Sequence, residues 1–139
     1  MRPPLEFPAR LTDDSAGLRG SVWVSNEAVP VLLLHLYILR HERQFFTVVL
    51  QDGKPIRLRI GYEPDKRPHG WVEWSSSGPL ILLETDELDS WLYHLRPHFY
   101  EDRSRMISEM RLAGDNSNTG KSLDLEVRIG QPPSKKARQ

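Results

Sequence analysis

The sequence predicts an α+β domain in which an antiparallel β-meander sheet of about five strands is packed by one or two helices. Two observations predict this fold class. β-rich runs with turn residues between them fill residues 45–83, and strict apolar–polar alternation returns at residues 123–129. From residue 85, apolar residues instead recur every three or four positions, which is the period of one face of a helix.

Length and composition favour one independently folding domain. The chain has 139 residues, and single domains have roughly 100–200. It has no cysteine, which excludes thiol catalysis, thiolate metal sites and disulfides and fits a reducing, cytoplasmic location. The longest apolar run, residues 31–39, is much shorter than the roughly 20 residues that span a bilayer, so we expect no membrane association.

The N-terminal third of the chain gives the weakest signals. Three prolines and a polar cluster in residues 1–19 predict a flexible arm, with a single folded domain over residues 20–130. Residues 21–24 have the pattern of a short strand, and turn residues follow it. Residues 31–39 are rich in leucine, which favours a helix, but they also suit a strand that is covered on both faces. The sequence predicts that they are buried and leaves their type open.

The strongest local signal is a β-hairpin centred on Asp52 and Gly53. Asp-Gly between two β-rich runs favours a type I′ turn, because such a turn needs positive φ at both central residues. Alternation in the second run places its isoleucines and leucine on one face and Arg57 and Arg59 on the other. A proline-containing loop over residues 63–70 follows, and then strands over residues 71–75 and 80–83.

The C-terminal half predicts helices and a last strand. Thr85 is a suitable N-cap, acidic residues occupy the first turn, and Pro97 ends or kinks the helix. A second helical segment is expected over residues 101–112. Residues 123–129 form a half-buried strand that closes the sheet at an edge. Residues 131–139 form a disordered basic tail.

No catalytic or metal-binding signature is present in the sequence. It contains no phosphate-binding loop, dinucleotide-binding glycine pattern, nucleophile elbow or His-Glu-x-x-His motif. His94 and His98 have the helical spacing that suits zinc, but Pro97 should break the helix that would align them. We therefore predict a protein that is not an enzyme and needs neither a metal nor another cofactor.

One set of residues predicts a binding function. It combines cationic and aromatic side chains on the hairpin, the following loop and the next strand: Arg57, Arg59, Lys66, Arg67, His69, Trp71 and Trp74. Bases stack on aromatic rings while Arg and Lys contact phosphates, so this combination is typical of a platform for single-stranded nucleic acid. Alternatively, the arginines belong to an ordinary solvated strand face and the tryptophans anchor the core.

The order of elements over residues 45–95 resembles the PC4 and Whirly type of single-stranded DNA-binding transcription cofactors. The resemblance rests on a succession of four strands and a helix, with a tryptophan, Trp91, in the helix after an acidic start. It implies a homodimer built on the helices and a basic strand face that holds melted DNA. In this chain 19 Lys and Arg are balanced by 19 Asp and Glu, so any attraction to DNA must come from a local patch.

A second hypothesis is a regulator that docks on a protein. Phages use small proteins of this kind to redirect host transcription machinery such as RNA polymerase. The mixed charge, the tryptophan and phenylalanine content and the arms at both ends favour it. The predicted partner is therefore single-stranded nucleic acid or a protein of the transcription machinery, and the sequence does not decide between them.

Overall fold

The computed structural model describes residues 4–64, 70–99, 109–116 and 118–133. In these residues eight strands close into a barrel, and two α-helices accompany them. The strands are β1 (Leu5–Asp14), β2 (Gly17–Val24), β3 (Phe46–Asp52), β4 (Lys54–Tyr62), β5 (Gly70–Ser75), β6 (Gly78–Leu83), β7 (Glu109–Asp115) and β8 (Ser122–Ile129). The helices are α1 (Val29–Glu42) and α2 (Thr85–Leu95), and a short 3-10 turn, Arg96–Phe99, follows α2.

The predicted fold class is wrong, because the sheet is a closed barrel of mixed pairing and not an open antiparallel meander of about five strands. Four antiparallel hairpins, β1–β2, β3–β4, β5–β6 and β7–β8, are joined side by side by parallel pairings. The order around the barrel is β1-β2-β8-β7-β5-β6-β4-β3. Local periodicity reports which residues form strands, but the pairing between hairpins is set by tertiary packing.

Several segments differ from their predicted structure. The predicted flexible arm supplies β1 and the start of β2, since Leu5, Phe7, Ala9 and Leu11 alternate along a strand that packs on the core. The segment predicted as a second helix forms β7 from residue 109 onward, and residues 101–108 lie outside the described residues. Strand β8 is not at an edge, because it pairs with both β2 and β7.

Other local predictions are confirmed or resolved. Asp52 pairs with Lys54 across Gly53, which has a φ of 71°, so the predicted hairpin is present. The predicted type I′ turn is wrong, because Asp52 is a paired strand residue without positive φ. Residues 31–39 lie in α1, and the prediction that they are buried is wrong for Val31 and Leu34, which are exposed on the outer side of the helix. The N-cap of α2 is Glu84 and not Thr85: an oxygen of Glu84 accepts from the backbone N–H of Glu87 at 2.8 Å, and Glu87 returns the contact at 3.3 Å.

Both helices lie at the same end of the barrel. Helix α1 connects β2 to β3 and α2 connects β6 to β7, and in the observed strand directions all four of these strand termini are at one end. We call this the helix end, and we call the opposite end, with its four hairpin turns, the hairpin end. The Arg40 Nε to Asp89 Oδ1 distance of 2.8 Å links the two helices. No helix in the described part of the chain is long and apolar enough to cross a membrane.

The barrel interior is filled by side chains. Inward residues of the strands meet Leu32 and Leu36 of α1 and Trp91 of α2 in one apolar cluster. Only a cavity of about 30 Å³ remains, and aliphatic and aromatic side chains line it. A cavity of that size and polarity holds no organic ligand and stays dry. Among the described residues, a site for an organic ligand would therefore lie on the outer surface.

The two halves of the barrel repeat one arrangement. Residues 5–62 and 70–129 each contain two strands, a helix and two strands. Gly17 and Gly78 begin the second strand of each half with positive φ, at 132° and 104°. The carboxylate of Asp52 at the end of β3 accepts from the N–H of Leu11 at 2.7 Å. Just after β7, the Asn116 amide likewise donates to the carbonyl of Val72 at 2.8 Å. These equivalences indicate a pseudo-two-fold axis along the barrel.

Candidate nucleic-acid interface on the barrel surface

The predicted arginines of β4 lie on the outside of the barrel. Their neighbours Leu58 and Ile60 are buried in the interior, so Arg57 and Arg59 point outward as the alternation predicts. Arg57 is exposed and lies opposite Val49 of β3. Arg59 is half-buried, and its Nη2 donates to the hydroxyl of Ser75 at 3.2 Å. Lys66, Arg67 and His69 lie outside the described residues.

The predicted tryptophans do not share that surface. Trp71 points outward, but its side chain is only 9% exposed and its indole N–H donates to Glu73 at 2.6 Å. Trp74 pairs with the buried Pro79 and packs against the core, and the Lys121 ammonium lies 5.3 Å from its ring centre. The two residues are three apart on one strand, so alternation alone puts them on opposite faces. This alternation is visible in the sequence, and the site prediction did not take it into account when it grouped the two tryptophans.

Three outward arginines of the described strands have no carboxylate partner. They are Arg57 and Arg59 of β4 and Arg10 of β1. The outward arginines of the remaining strands are paired with acids: Arg19 with Asp14, Arg111 with Asp124, and Arg128 with Glu126. Because β4, β3 and β1 are neighbours in the barrel, the three unpaired arginines occupy one continuous part of its surface.

We define the basic face as the outer side of β4, β3, β1 and β2. Three of the carboxylates on these strands already have partners: Glu6 accepts from the Gln51 amide at 3.3 Å, Asp52 accepts from the N–H of Leu11, and Asp14 pairs with Arg19. The strands across the barrel carry most of the outward acids: Glu73, Asp115, Asp124 and Glu126. Although the net charge is zero, the arginines without carboxylate partners are therefore concentrated on the basic face.

A groove of about 580 Å³ lies where the basic face meets β8. Pairing of β1 with β2 sets Arg10 opposite Ser21, and parallel pairing of β2 with β8 sets Trp23 beside Arg128. The Arg10 guanidinium carbon lies 5.8 Å from the centre of the Trp23 ring. The groove is lined by Arg10, Ser21, Trp23, Arg128, Ile129, Gln131 and Pro133.

The groove offers hydrogen-bond donors. Within the part of the chain that the structure describes, no hydrogen bond or ion pair engages the Arg10 guanidinium, the Ser21 hydroxyl or the Trp23 indole N–H. Sequence reasoning missed this site because its residues come from β1, β2 and β8, which are far apart in the chain. The one local signal is Trp23 between the core residues Val22 and Val24; its side chain points away from the core cluster but is only 7% exposed.

The described residues contain no group of three or more His, Asp or Glu side chains that could hold a metal ion. No protein-family model matches the chain, and no characterised protein matches its sequence. The geometry of the surface is therefore the basis for the proposals that follow.

Proposed function

We propose that this protein is a non-enzymatic binding protein that holds single-stranded nucleic acid on its basic face. The observation that supports it is the set of three neighbouring arginines without carboxylate partners, Arg10, Arg57 and Arg59. Unpaired guanidinium groups bind phosphates without first breaking an ion pair. Phosphate contacts supply most of the affinity in binding that does not depend on base sequence.

The shape of the face favours a single strand over a duplex. Proteins that read duplex DNA usually insert a helix or a two-stranded ribbon into a groove. Here both helices sit at the helix end, and the basic face is the outer surface of barrel strands. Arg10 and Arg57 stand on strands separated by β3 alone, about 10 Å apart across the sheet, and the register places them four residues, roughly 13 Å, apart along it. A flexible chain of phosphates can follow such a surface.

The decisive experiment measures fluorescence anisotropy of an oligothymidine of about 12 nucleotides, a length within the usual site size for such proteins. The double variant Arg10→Ala/Arg57→Ala should bind more weakly. Its slope of log affinity against log salt should fall by about 1.4, which corresponds to two lost phosphate contacts on a single strand. The control is Arg111→Ala, an exposed arginine across the barrel that is paired with Asp124.

The control variant should bind like the parent, and all three proteins should unfold within about 0.5 kcal/mol of one another because the changed side chains are on the surface. Absence of binding by the parent chain at low salt would contradict the proposal. An unchanged salt slope in the double variant, or an equal loss in Arg111→Ala, would contradict it as well.

A different observation favours protein docking as a second candidate function. In the described residues, the exposed large apolar side chains are Val31, Leu34, Phe45 and Tyr93, and all four lie at the helix end. Helix α1 is apolar on its outer side as well as its inner side, since Val31 and Leu34 are 43% and 56% exposed. Contiguous exposed apolar surface in a small protein marks a binding surface for another protein.

We propose that a protein of the transcription machinery, or a second copy of this chain, would use this end. Leu34→Glu should abolish binding to purified RNA polymerase and any concentration-dependent dimer seen by sedimentation, while oligothymidine binding stays at the parental level. The arginine double variant should have the opposite pattern. A Leu34→Glu protein that still binds the polymerase and still dimerises would exclude the helix end as the docking surface.

A further inference from the structure

The groove beside Trp23 is an open groove on the barrel surface that is large enough for a small molecule. Its volume of about 580 Å³ falls within the roughly 300–1,000 Å³ of pockets that hold small organic molecules. It is also positioned by regular structure. Strands β1, β2 and β8 fix three of its walls, and the N–H of Gly130 donates to the carbonyl of Val24 at 2.8 Å, which directs the chain after β8 past Trp23.

The polar groups of the groove are mainly donors, which selects an anionic ligand. The guanidinium of Arg10, the hydroxyl of Ser21 and the indole N–H of Trp23 have no partner within the described residues. Arg128 also lines the groove, but its charge is balanced by an ion pair with Glu126, which lies beside Ser21. A guanidinium presents two parallel N–H groups that match the oxygens of a phosphate.

The other groups of the groove suit a planar ring. The Arg10 guanidinium carbon lies 5.8 Å from the centre of the Trp23 ring, which is within the range of a cation–π contact. Nucleic-acid bases stack on guanidinium planes as well as on aromatic rings. Ile129 and Pro133 add apolar residues to the lining. A phosphate joined to a flat heterocycle is the ligand that uses both parts of this site.

We propose that this groove binds one nucleoside monophosphate unit, either the 5′-phosphorylated end of a strand or a free mononucleotide. The inference rests on the proposed function and extends it by naming the unit that is recognised at one end of the basic face. Arg10 binds the phosphate, with Ser21 and the Trp23 N–H as further donors, and the base lies against the Arg10 guanidinium and the apolar residues of the lining. No bond is made or broken.

The probe for this site is the Trp23 indole N–H in two-dimensional NMR spectra. The chain has four tryptophans, and Trp23→Phe assigns the signal. Thymidine 5′-monophosphate should shift it in a saturable way. Thymidine and inorganic phosphate should each bind at least about tenfold more weakly, because each makes only part of the contacts. Equal affinity for inorganic phosphate would reduce the groove to a simple anion site and overturn the inference.

Variants connect the signal to the groove. Arg10→Ala should weaken thymidine monophosphate binding at least about tenfold, and Arg10→Lys should also weaken it because lysine lacks the planar fork. Arg111→Ala should bind like the parent. Preserved spectra outside the groove show that each variant is folded. Unchanged affinity in Arg10→Ala would overturn the inference.

A comparison of oligothymidine with and without a 5′-phosphate identifies the source of the ligand. Tighter binding of the phosphorylated strand supports recognition of a strand end, whereas equal binding together with saturable mononucleotide binding supports a free nucleotide. The two proposals also fail separately. If oligothymidine binds with the expected salt slope but thymidine monophosphate leaves the Trp23 signal unchanged, the groove inference is wrong and the proposed function stands.

Discussion

Glycine is needed in this barrel for two different physical reasons. Gly53 has a φ of 71° in the β3–β4 turn, and a Cβ there would meet nothing within 4 Å. Gly17 has a φ of 132°, and a Cβ would lie 1.8 Å from the backbone oxygen of Ser122 on the neighbouring strand. At Gly53, glycine is favoured only because the backbone has positive φ. At Gly17, glycine is also needed because β2 and β8 lie close together.

Alanine substitutions should separate these effects. Gly53→Ala should lower the free energy of unfolding by about 1 kcal/mol, the lower end of the range for a residue held at unfavourable φ. Gly17→Ala should lower it by more than about 3 kcal/mol, because backbone must move apart as well. Urea unfolding of both variants measures the difference. Equal losses would show that the close approach of β2 and β8 is unimportant.

Asp14 gives a prediction about pH. The pKa of its carboxyl lies below the ordinary value of 3.8, chiefly because Arg19 donates a hydrogen bond to it and secondly because the N–H of Ala16 does. A lowered folded-state pKa stabilises the protein above about pH 4, and this stabilisation is lost as the pH falls through the folded pKa. NMR titration should show the Asp14 pKa rising in Arg19→Ala. A value that stays depressed would assign the effect to the backbone alone.

At the residue scale, the sequence predicted which face of a strand a side chain points to better than it predicted which residues lie beside that side chain. Alternation along β4 correctly turned Arg57 and Arg59 outward, because that property depends only on position within one strand. It could not place Arg10 beside Trp23, since their contact depends on the pairing of β1 with β2. The prolines near the N-terminus predicted a flexible arm, so the strand that carries Arg10 was not predicted.

At the scale of elements, the two helices differ in how well they can be predicted from their sequences. Helix α2 has a polar outer face and an apolar inner one, so its period was visible and its start was predicted within one residue. Helix α1 is apolar on nearly every side, and an amphipathic period cannot be seen in such a run. Its type could therefore not be chosen from the sequence.

The start of α2 supports a specific mutational prediction. Glu84 and Glu87 form a reciprocal capping box, in which each side chain accepts from the other residue's backbone N–H. Glu84→Ala should lower the free energy of unfolding by about 1 kcal/mol, the usual effect of removing an N-cap. Asp86→Ala is the matched control, because it removes a first-turn acid that makes no cap. An equal effect of both substitutions in urea unfolding would show that helix-dipole charge, rather than the cap, stabilises this start.

At the scale of the whole molecule, the chain has equal numbers of basic and acidic residues. The arrangement of hairpins places the unpaired arginines and most of the outward acids on different sides of the barrel. Parallel pairing brings β4, β3 and β1 together on one side and places β8, β7 and β5 on the other. Unpaired arginines then collect on the first side and most outward acids on the second. Neither the closure of the barrel nor this separation follows from local sequence pattern, because both depend on which hairpins become neighbours.

The repeated halves make the barrel a candidate for circular permutation. Strand β1 begins and β8 ends at the helix end, which is also where β4 leads into β5. A chain opened between Pro64 and Gly70, with a short glycine-serine linker from the end of β8 to the start of β1, would have the same order of elements with its halves exchanged. We expect this permuted chain to unfold cooperatively in urea and to keep the Trp23 indole signal of the parent, because every strand keeps its neighbours. Evolutionary or engineered rearrangement could then exchange the order in which the two halves are synthesised without rebuilding either surface.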